Sequence, residues 1–325
     1  MSRVLEVENL RISFPADGGG RVHPVDGVSF ALDRGETLAL VGESGCGKSL
    51  TSLALLRLVP APGRIEPGSA IRLGGTEVLS LEGEALRRIR GKRIGMIFQD
   101  PMTSLNPVFT VGDQIAEGVR AHLPVSRREA RDRALHLLEE VGISDPVARL
   151  GAYPHQLSGG MRQRVMIAIA LSAEPEILVA DEPTTALDVT VQAQILEVLD
   201  RLRTSHGMAV LLITHDLGIV GGRADRVAVM YAGQIVEEAT TPALFARPSH
   251  PYTQGLFASV PRLHAPVGRL RPIRGSVPPP SAWPSGCRFR PRCPEAFDKS
   301  ETMPPLLPLE PGHRMRCWLA ETERP

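Results

Sequence analysis

Residues 42–49 read GESGCGKS, a run whose glycines let the backbone turn its N–H groups inward around a phosphate. In that arrangement Lys48 reaches the β and γ phosphates and Ser49 ligates magnesium, so Gly42, Glu43, Ser44, Gly45, Cys46, Gly47, Lys48 and Ser49 are expected to line a nucleotide site. The helix expected from LTSLALLRL adds its positive end. Cys46 is expected to be a passive small residue, not a redox switch. Further on, ILVADEP puts Asp181 and Glu182 at the end of a buried apolar strand, where a carboxylate is costly unless it meets a cation. Asp181 suits the shell of the magnesium, and Glu182 can polarise an attacking water as general base. Gln99 follows the strand RIGMIF and His215 follows MAVLLIT. Ligand groups of an open parallel sheet collect at the carboxyl ends of its strands, so these four strand ends point to one site.

The elements that must position these groups are legible as patterns. LEVENLRISF and VDGVSFALDRGETLALVG read as alternating strands joined by turns, the last running straight into the glycine loop. EILVAD, MAVLLIT and RVAVMYAG are short apolar runs separated by helical stretches, the mark of a buried parallel sheet and an α/β core. Between 126 and 142, Ser126 and Glu129 form a capping box, Ala130, Ala134, Leu138 and Val141 mark one apolar face, and Gly142 supplies the stop. A second serine-glycine cradle, LSGGMRQR at 157–164, opens another apolar helix. There Ser158 can cap a helix beginning near Met161 and leave several N–H groups free at its start.

The totals narrow the class. A chain of 325 residues allows one large domain with an appendage, or two domains. Its 37 basic and 36 acidic residues leave a net charge of +1, which argues against a polyanion binder held by charge alone. The opening MSRVLEVENL lacks the apolar core of a secretory signal, and the longest apolar stretch, VMIAIALSA, is about half the length a spanning helix needs. The chain is therefore expected to be soluble, or to meet a membrane only through a partner. Of 29 prolines, 17 fall between Pro242 and Pro325, together with both tryptophans, so an ordered but irregular extension without long helices is expected there. Three of the four cysteines also lie in it, which does not resemble a disulfide framework.

Taken together, GESGCGKS, LSGGM, ILVADE and TTALD resemble, in their order over residues 1–240, the ATP-binding subunits of ABC transporters. The resemblance implies a P-loop NTPase core with a mostly parallel sheet, an antiparallel β subdomain and a helical signature subdomain over 1–240, followed by a Pro-rich extension over 241–325. It further implies that Ser158, Gly159, Gly160 and Met161 serve in trans the γ-phosphate held by a partner's glycine loop, two subunits meeting head to tail around two ATPs. By the same carry-over Gln99 joins the magnesium shell, senses the γ-phosphate and couples to a membrane partner. Asp188 communicates across the dimer, His215 contacts the γ-phosphate, and Phe14 is the candidate for stacking on adenine, with a core strand position as its alternative.

FQDPMTSLNPVFTVGDQIAE, the RVMIAIAL continuation and LFARPSHPYTQGLFASVP are similar to the dipeptide and oligopeptide importer branch, D-type subunit. That implies an F-type ATPase partner, two transmembrane permeases, an external substrate-binding protein, no nucleic acid, and a place on the cytoplasmic face of the inner membrane. Nickel and glutathione importers share the features, and an ABC ATPase of nucleic-acid repair or translation is the rival from another class. GCRFRPRCPEAFDKS and RMRCW resemble a segment that holds a [4Fe-4S] cluster in some members, but Ser300 stands where a cysteine is expected. Cys287, Cys293 and Cys317 thus admit a cluster with an unusual fourth ligand, zinc with His313, or buried thiols. The basic residues of RLHAPVGRLRPIRG, with Arg288, Arg290 and Arg292, are expected to be solvated surface.

Overall fold

The structure is a computed structural model in which residues 2–16, 18–100, 104–185, 187–259 and 272–321 are described. Pro101, Met102 and Thr103 of the FQDPMTSLNP segment, Ala186 of TTALD and positions 262–271 of the basic stretch lie outside the described residues. By its internal packing the chain forms two compact units, one of Met1–Leu5, Leu32–Glu36 and Leu73–Ile213, the other of Glu6–Ala31, Thr37–Arg72 and Thr214–Pro325.

In chain order the strands are β1 (Arg3–Pro15), β2 (Arg21–Asp33), β3 (Thr37–Val41), β4 (Arg64–Ile65), β5 (Ala70–Leu73), β6 (Thr76–Glu77), β7 (Ile94–Ile97), β8 (Ile177–Asp181), β9 (Ala209–Thr214), β10 (Arg226–Tyr231), β11 (Gln234–Thr240), β12 (Leu307–Glu310) and β13 (His313–Met315). The first unit carries β7, β8 and β9 side by side and parallel, with Ile97 level with Ala180 and Asp181 with Ile213. Every residue of β8 and β9 is buried, which is why their sequences run apolar without alternation. Around them stand the helices Val111–His122, Arg127–Glu140, Gly159–Leu171 and Val189–His206. The capping box predicted at Ser126 and Glu129 is present, Ala130, Ala134, Leu138 and Val141 are fully buried, and Gly142 takes a φ of +74° just past the end.

The second unit contains the antiparallel layer β2, β1, β5, with β4 on β1 and Ile12 opposite Ile65. It also contains a mixed sheet in the order β12, β13, β11, β10, β3. Here β3 and β10 are parallel as the apolar runs predict, whereas β10 and β11 form an antiparallel hairpin whose two-residue turn, Ala232 and Gly233, has positive φ at both positions.

The Pro-rich extension differs from expectation in one respect. Its helices are short, Thr241–Ala246 and Pro251–Ser259, as the prolines require, but β13 pairs with β11 and β12 with β13. Pro308 is tolerated in β12 because that strand lies at the sheet's edge, where a missing N–H costs no ladder bond. Tyr252 and Phe289 join Val227, Val229, Tyr231 and Val236 in one core cluster, the three aromatic rings meeting at centroid distances of 4.6, 5.2 and 5.4 Å. The extension is thus built into the core of its unit. Glu237, fully buried, fixes it further by accepting the N–H groups of Ser249 (2.7 Å) and His250 (2.9 Å) and pairing with His313 Nε2 at 2.8 Å.

Candidate nucleotide site

β3 leads directly into the glycine loop, and the helix Lys48–Leu55 follows it. Gly47 sits at φ +107°, where a Cβ would lie 2.6 Å from the Pro24 carbonyl, so only glycine closes this turn. Lys48 is 4% exposed and its Nζ donates to the carbonyls of Gly42 (2.7 Å) and Glu43 (3.1 Å). The loop is held from outside as well. The Glu43 N–H donates to the Tyr252 hydroxyl at 2.9 Å, its carboxylate receives Arg292, and the Cys46 carbonyl accepts the N–H of Gly233 at 2.9 Å. Burial raises the Cys46 thiol even though the Lys48 charge opposes it, in line with a passive residue. Phe14 is half-buried with its ring edge against the backbone of Gly63, where an added Cβ would meet its Cζ at 2.5 Å.

In the other unit β8 ends at Asp181, 3% exposed, and Glu182 follows, 9% exposed with a φ of +47° that non-glycine residues seldom adopt. The Glu182 N–H donates to the Ile213 carbonyl at 2.9 Å, which fixes the turn. One oxygen of its carboxylate accepts Gln99 Nε2 at 3.0 Å and Thr185 Oγ1 at 2.9 Å, so one face of the group is held by neutral donors. Gln99 and Glu182 are therefore neighbours, as their strand-end positions suggest, while Thr185 is a partner the motif reading did not single out. Its signal is its place three residues after Glu182 in a turn. Ser158 caps the signature helix, accepting the Met161 N–H at 3.4 Å, and the helix begins at Gly159, earlier than the sequence indicates. Ser158 and Gly159 are exposed; Gly160 and Met161 are half-exposed. A Cβ on Gly160 would come within 2.7 Å of Val191, so glycine there permits close packing on the next helix. Asp188 caps that helix, Val189–His206, through the Val191 N–H at 3.0 Å. His215 is exposed beyond β9.

The chain matches the ABC transporter family over residues 25–185 and the C-terminal region of oligopeptide/dipeptide transporters over residues 236–299. It is 51% identical to the oligopeptide transport ATP-binding protein AppD of Bacillus subtilis, covering 99% of this chain and 98% of that one. The chain belongs to the ATP-binding subunits of ABC transporters. The dipeptide transport ATP-binding protein DppD of Bacillus subtilis is 49% identical over 99% of this chain and 96% of its own. Among solved structures, a dimeric ATP-binding cassette, MJ0796, in a post-hydrolysis state bound to ADP and Pi has a TM-score of 0.63 at 26% identity, covering 73% of this chain and 98% of that one. The cbiO1 cassette of Clostridium perfringens has a TM-score of 0.64 at 27% identity, over 76% and 92%. As an ABC transporter ATPase the chain binds and hydrolyses ATP, works with membrane permease subunits and dimerises with an ATPase subunit. No helix among the described residues is long and apolar enough to cross a membrane.

In the extension, the two groups that could complete a site on the three cysteines, Ser300 and His313, have other partners. The Ser300 hydroxyl is buried and accepts the Phe297 N–H at 3.2 Å, and the His313 ring is engaged with Glu237. Burial raises the Cys287 thiol and pushes Cys293 up to about 11, with Cys287 and Cys317 adding to the latter. Cys287 and Cys293 pack against the aromatic core, and among the described residues no group of three or more His, Cys, Asp or Glu side chains is arranged to hold a metal ion. Two arginines of this segment also depart from the solvated surface expected of them: the side chains of Arg288 and Arg292 are 10% and 5% exposed, each in an ion pair. Nothing local in the sequence announces those pairs, since their acidic partners, Asp26 and Glu43, lie more than 200 positions away.

Proposed function

We propose that the chain is the D-type motor of a di- or oligopeptide importer, working on the cytoplasmic face of the inner membrane with an F-type ATPase, two permeases and an external substrate-binding protein. The observation that carries the peptide reading is that the likeness to oligopeptide and dipeptide transport ATP-binding proteins runs through the extension as well as the ATPase core. The sequence is read as two modules, an ATPase over 1–240 and the extension over 241–325.

In this reading Gly42 to Ser49 hold the phosphates, with Lys48 as the cation, and Phe14 stacks on adenine. Ser49, Asp181 and Gln99 offer the oxygen donors that suit magnesium, which when bound neutralises charge on the phosphates. Glu182 accepts a proton from the attacking water. Its hydrogen bonds from Gln99 and Thr185 support that role, because they orient the carboxylate without neutralising it. His215 contacts the γ-phosphate. Ser158, Gly159, Gly160 and Met161 act on the nucleotide of the partner subunit, a role supported by a capped and exposed helix start whose N–H groups and dipole favour an anion. Asp188 relays between the two subunits. The thiols of Cys287, Cys293 and Cys317 are assigned to packing.

The test is reconstitution of the complete complex in vesicles with ATP hydrolysis as readout. Binding protein loaded with a di- or oligopeptide raises turnover; stimulation by nickel or glutathione in place of peptide contradicts the substrate class, and stimulation by RNA or DNA without membranes contradicts transport altogether.

A further inference from the structure

The phosphate loop is gripped by the C-terminal extension at two points and braced indirectly at a third. Arg292, in the turn Arg290–Arg292, places a two-pronged guanidinium on Glu43, Nη1 to Oε1 at 3.0 Å and Nη2 to Oε2 at 3.2 Å. Its Nε and Nη2 also donate to the carbonyls of Arg274 (2.9 Å) and Gly275 (3.2 Å), which fix the cation within the extension. Tyr252 supplies the second point through the Glu43 N–H. Burial, with Glu43 adding to it, raises this phenol well above its ordinary value, so it stays protonated and its oxygen accepts. The third is Arg288, which lies 3.7 Å over the Trp283 ring, pairs with Asp26 and donates to the Ala232 carbonyl, one residue before the Gly233 N–H that holds Cys46.

Glu43 makes this grip consequential. It is a carboxylate inside a loop that has to hold a polyanion, and its own backbone carbonyl is a partner of Lys48. Left uncompensated, its charge opposes phosphate entry and competes for Lys48. A guanidinium fork is the geometry that cancels a carboxylate most fully, and a pair with one side chain 5% exposed is screened by salt less than a surface pair. We propose that Arg292 is a positioning and charge-balancing residue for nucleotide binding, so that the extension is a working part of the ATP site. The proposal rests on the reading that loop 42–49 binds ATP.

The experiment titrates the full chain with a fluorescent ATP analogue in the presence of Mg²⁺. Arg292→Gln raises Kd about tenfold, as expected for loss of a charge-assisted pair. Adding Glu43→Gln to that variant returns Kd to within about threefold of wild type, a rescue that the loss of a merely structural contact does not permit. The defect of Arg292→Gln also shrinks toward roughly 1 M salt, where the Debye length is about 3 Å. An unchanged Kd for Arg292→Gln, or a double variant that binds no better than Arg292→Gln alone, overturns the proposal. Should thermal unfolding show that Arg292→Gln does not fold, Arg292→Lys, which keeps a cation but cannot make the two-pronged pair, raises Kd about threefold, and Glu43→Gln again removes the defect; a wild-type Kd for Arg292→Lys, or no rescue, overturns it equally. Lys48→Ala separates the two claims. If it abolishes binding while Arg292→Gln leaves Kd unchanged, the extension's role fails and the ATP reading stands; if it binds as wild type does, the ATP reading itself fails.

Discussion

The phosphate loop and the signature helix are both serine-glycine cradles, yet they are held in opposite ways. Around the loop, Lys48 is buried and Glu43 is held by Tyr252 and Arg292, residues more than 200 positions distant. At the signature helix, Ser158 makes an i to i+3 cap and the groups at its start face solvent. Long-range partners fix a group to well within a hydrogen-bond length without help from outside. A local cap fixes a helix end but leaves its anion-seeking N–H groups open, which suits a surface that a second subunit completes.

The largest effect expected from breaking either region lies at the acidic strand end. Glu182→Gln keeps ATP binding and lowers single-turnover hydrolysis in the assembled complex by about 10³-fold, roughly 4 kcal/mol of barrier; near-normal turnover removes Glu182 from the role of base. Next is the buried pair that ties the extension into its sheet. Burial on its own raises the Glu237 carboxyl, but hydrogen bonds from His313 and the N–H groups of His250 and Ser249 outweigh it and hold the group below its ordinary value. Glu237→Gln therefore costs about 3 kcal/mol at neutral pH by urea unfolding. Because the folded value is the lower one, the stabilisation is present above the unfolded carboxylate value of about 4.3 and is lost as pH falls through the folded one. The gap between wild type and variant accordingly narrows in acid, and a gap that stays constant contradicts the assignment.

Ser158→Arg sharpens the contrast between the cradles. It lowers hydrolysis at the site built on the partner's phosphate loop by about 50-fold while this chain's own Kd for ATP is retained. Loss of only this chain's binding shows instead that the signature acts in cis. The smallest effect belongs to a purely local device: Ser126→Ala removes one half of a capping box and costs about 1 kcal/mol, read as a lower thermal midpoint with unchanged hydrolysis.

How much was legible follows the same division. The capping box at Ser126, the apolar face of Ala130, Ala134 and Leu138, and the unalternating strands β8 and β9 are short-range patterns and lie where the sequence puts them. The pairing of Gln99 with Glu182 was within reach because both sit at the ends of adjacent parallel strands. The strands β12 and β13 were not, since a four-residue and a three-residue strand among prolines have no periodicity to detect. Nor were the buried positions of Arg288 and Arg292, whose composition alone reads as surface.

By itself the sequence determined the family, the order of the nucleotide motifs and the local elements that carry them, because glycine placement, capping and apolar period act over a few residues. Only the tertiary structure decided that the extension shares the core and the hydrogen-bonding of the phosphate loop, and that Ser300 and His313 are spent on other partners. Those outcomes depend on which distant groups meet in a buried setting, where an unpaired charge is too costly to leave and a partner must be found across the chain.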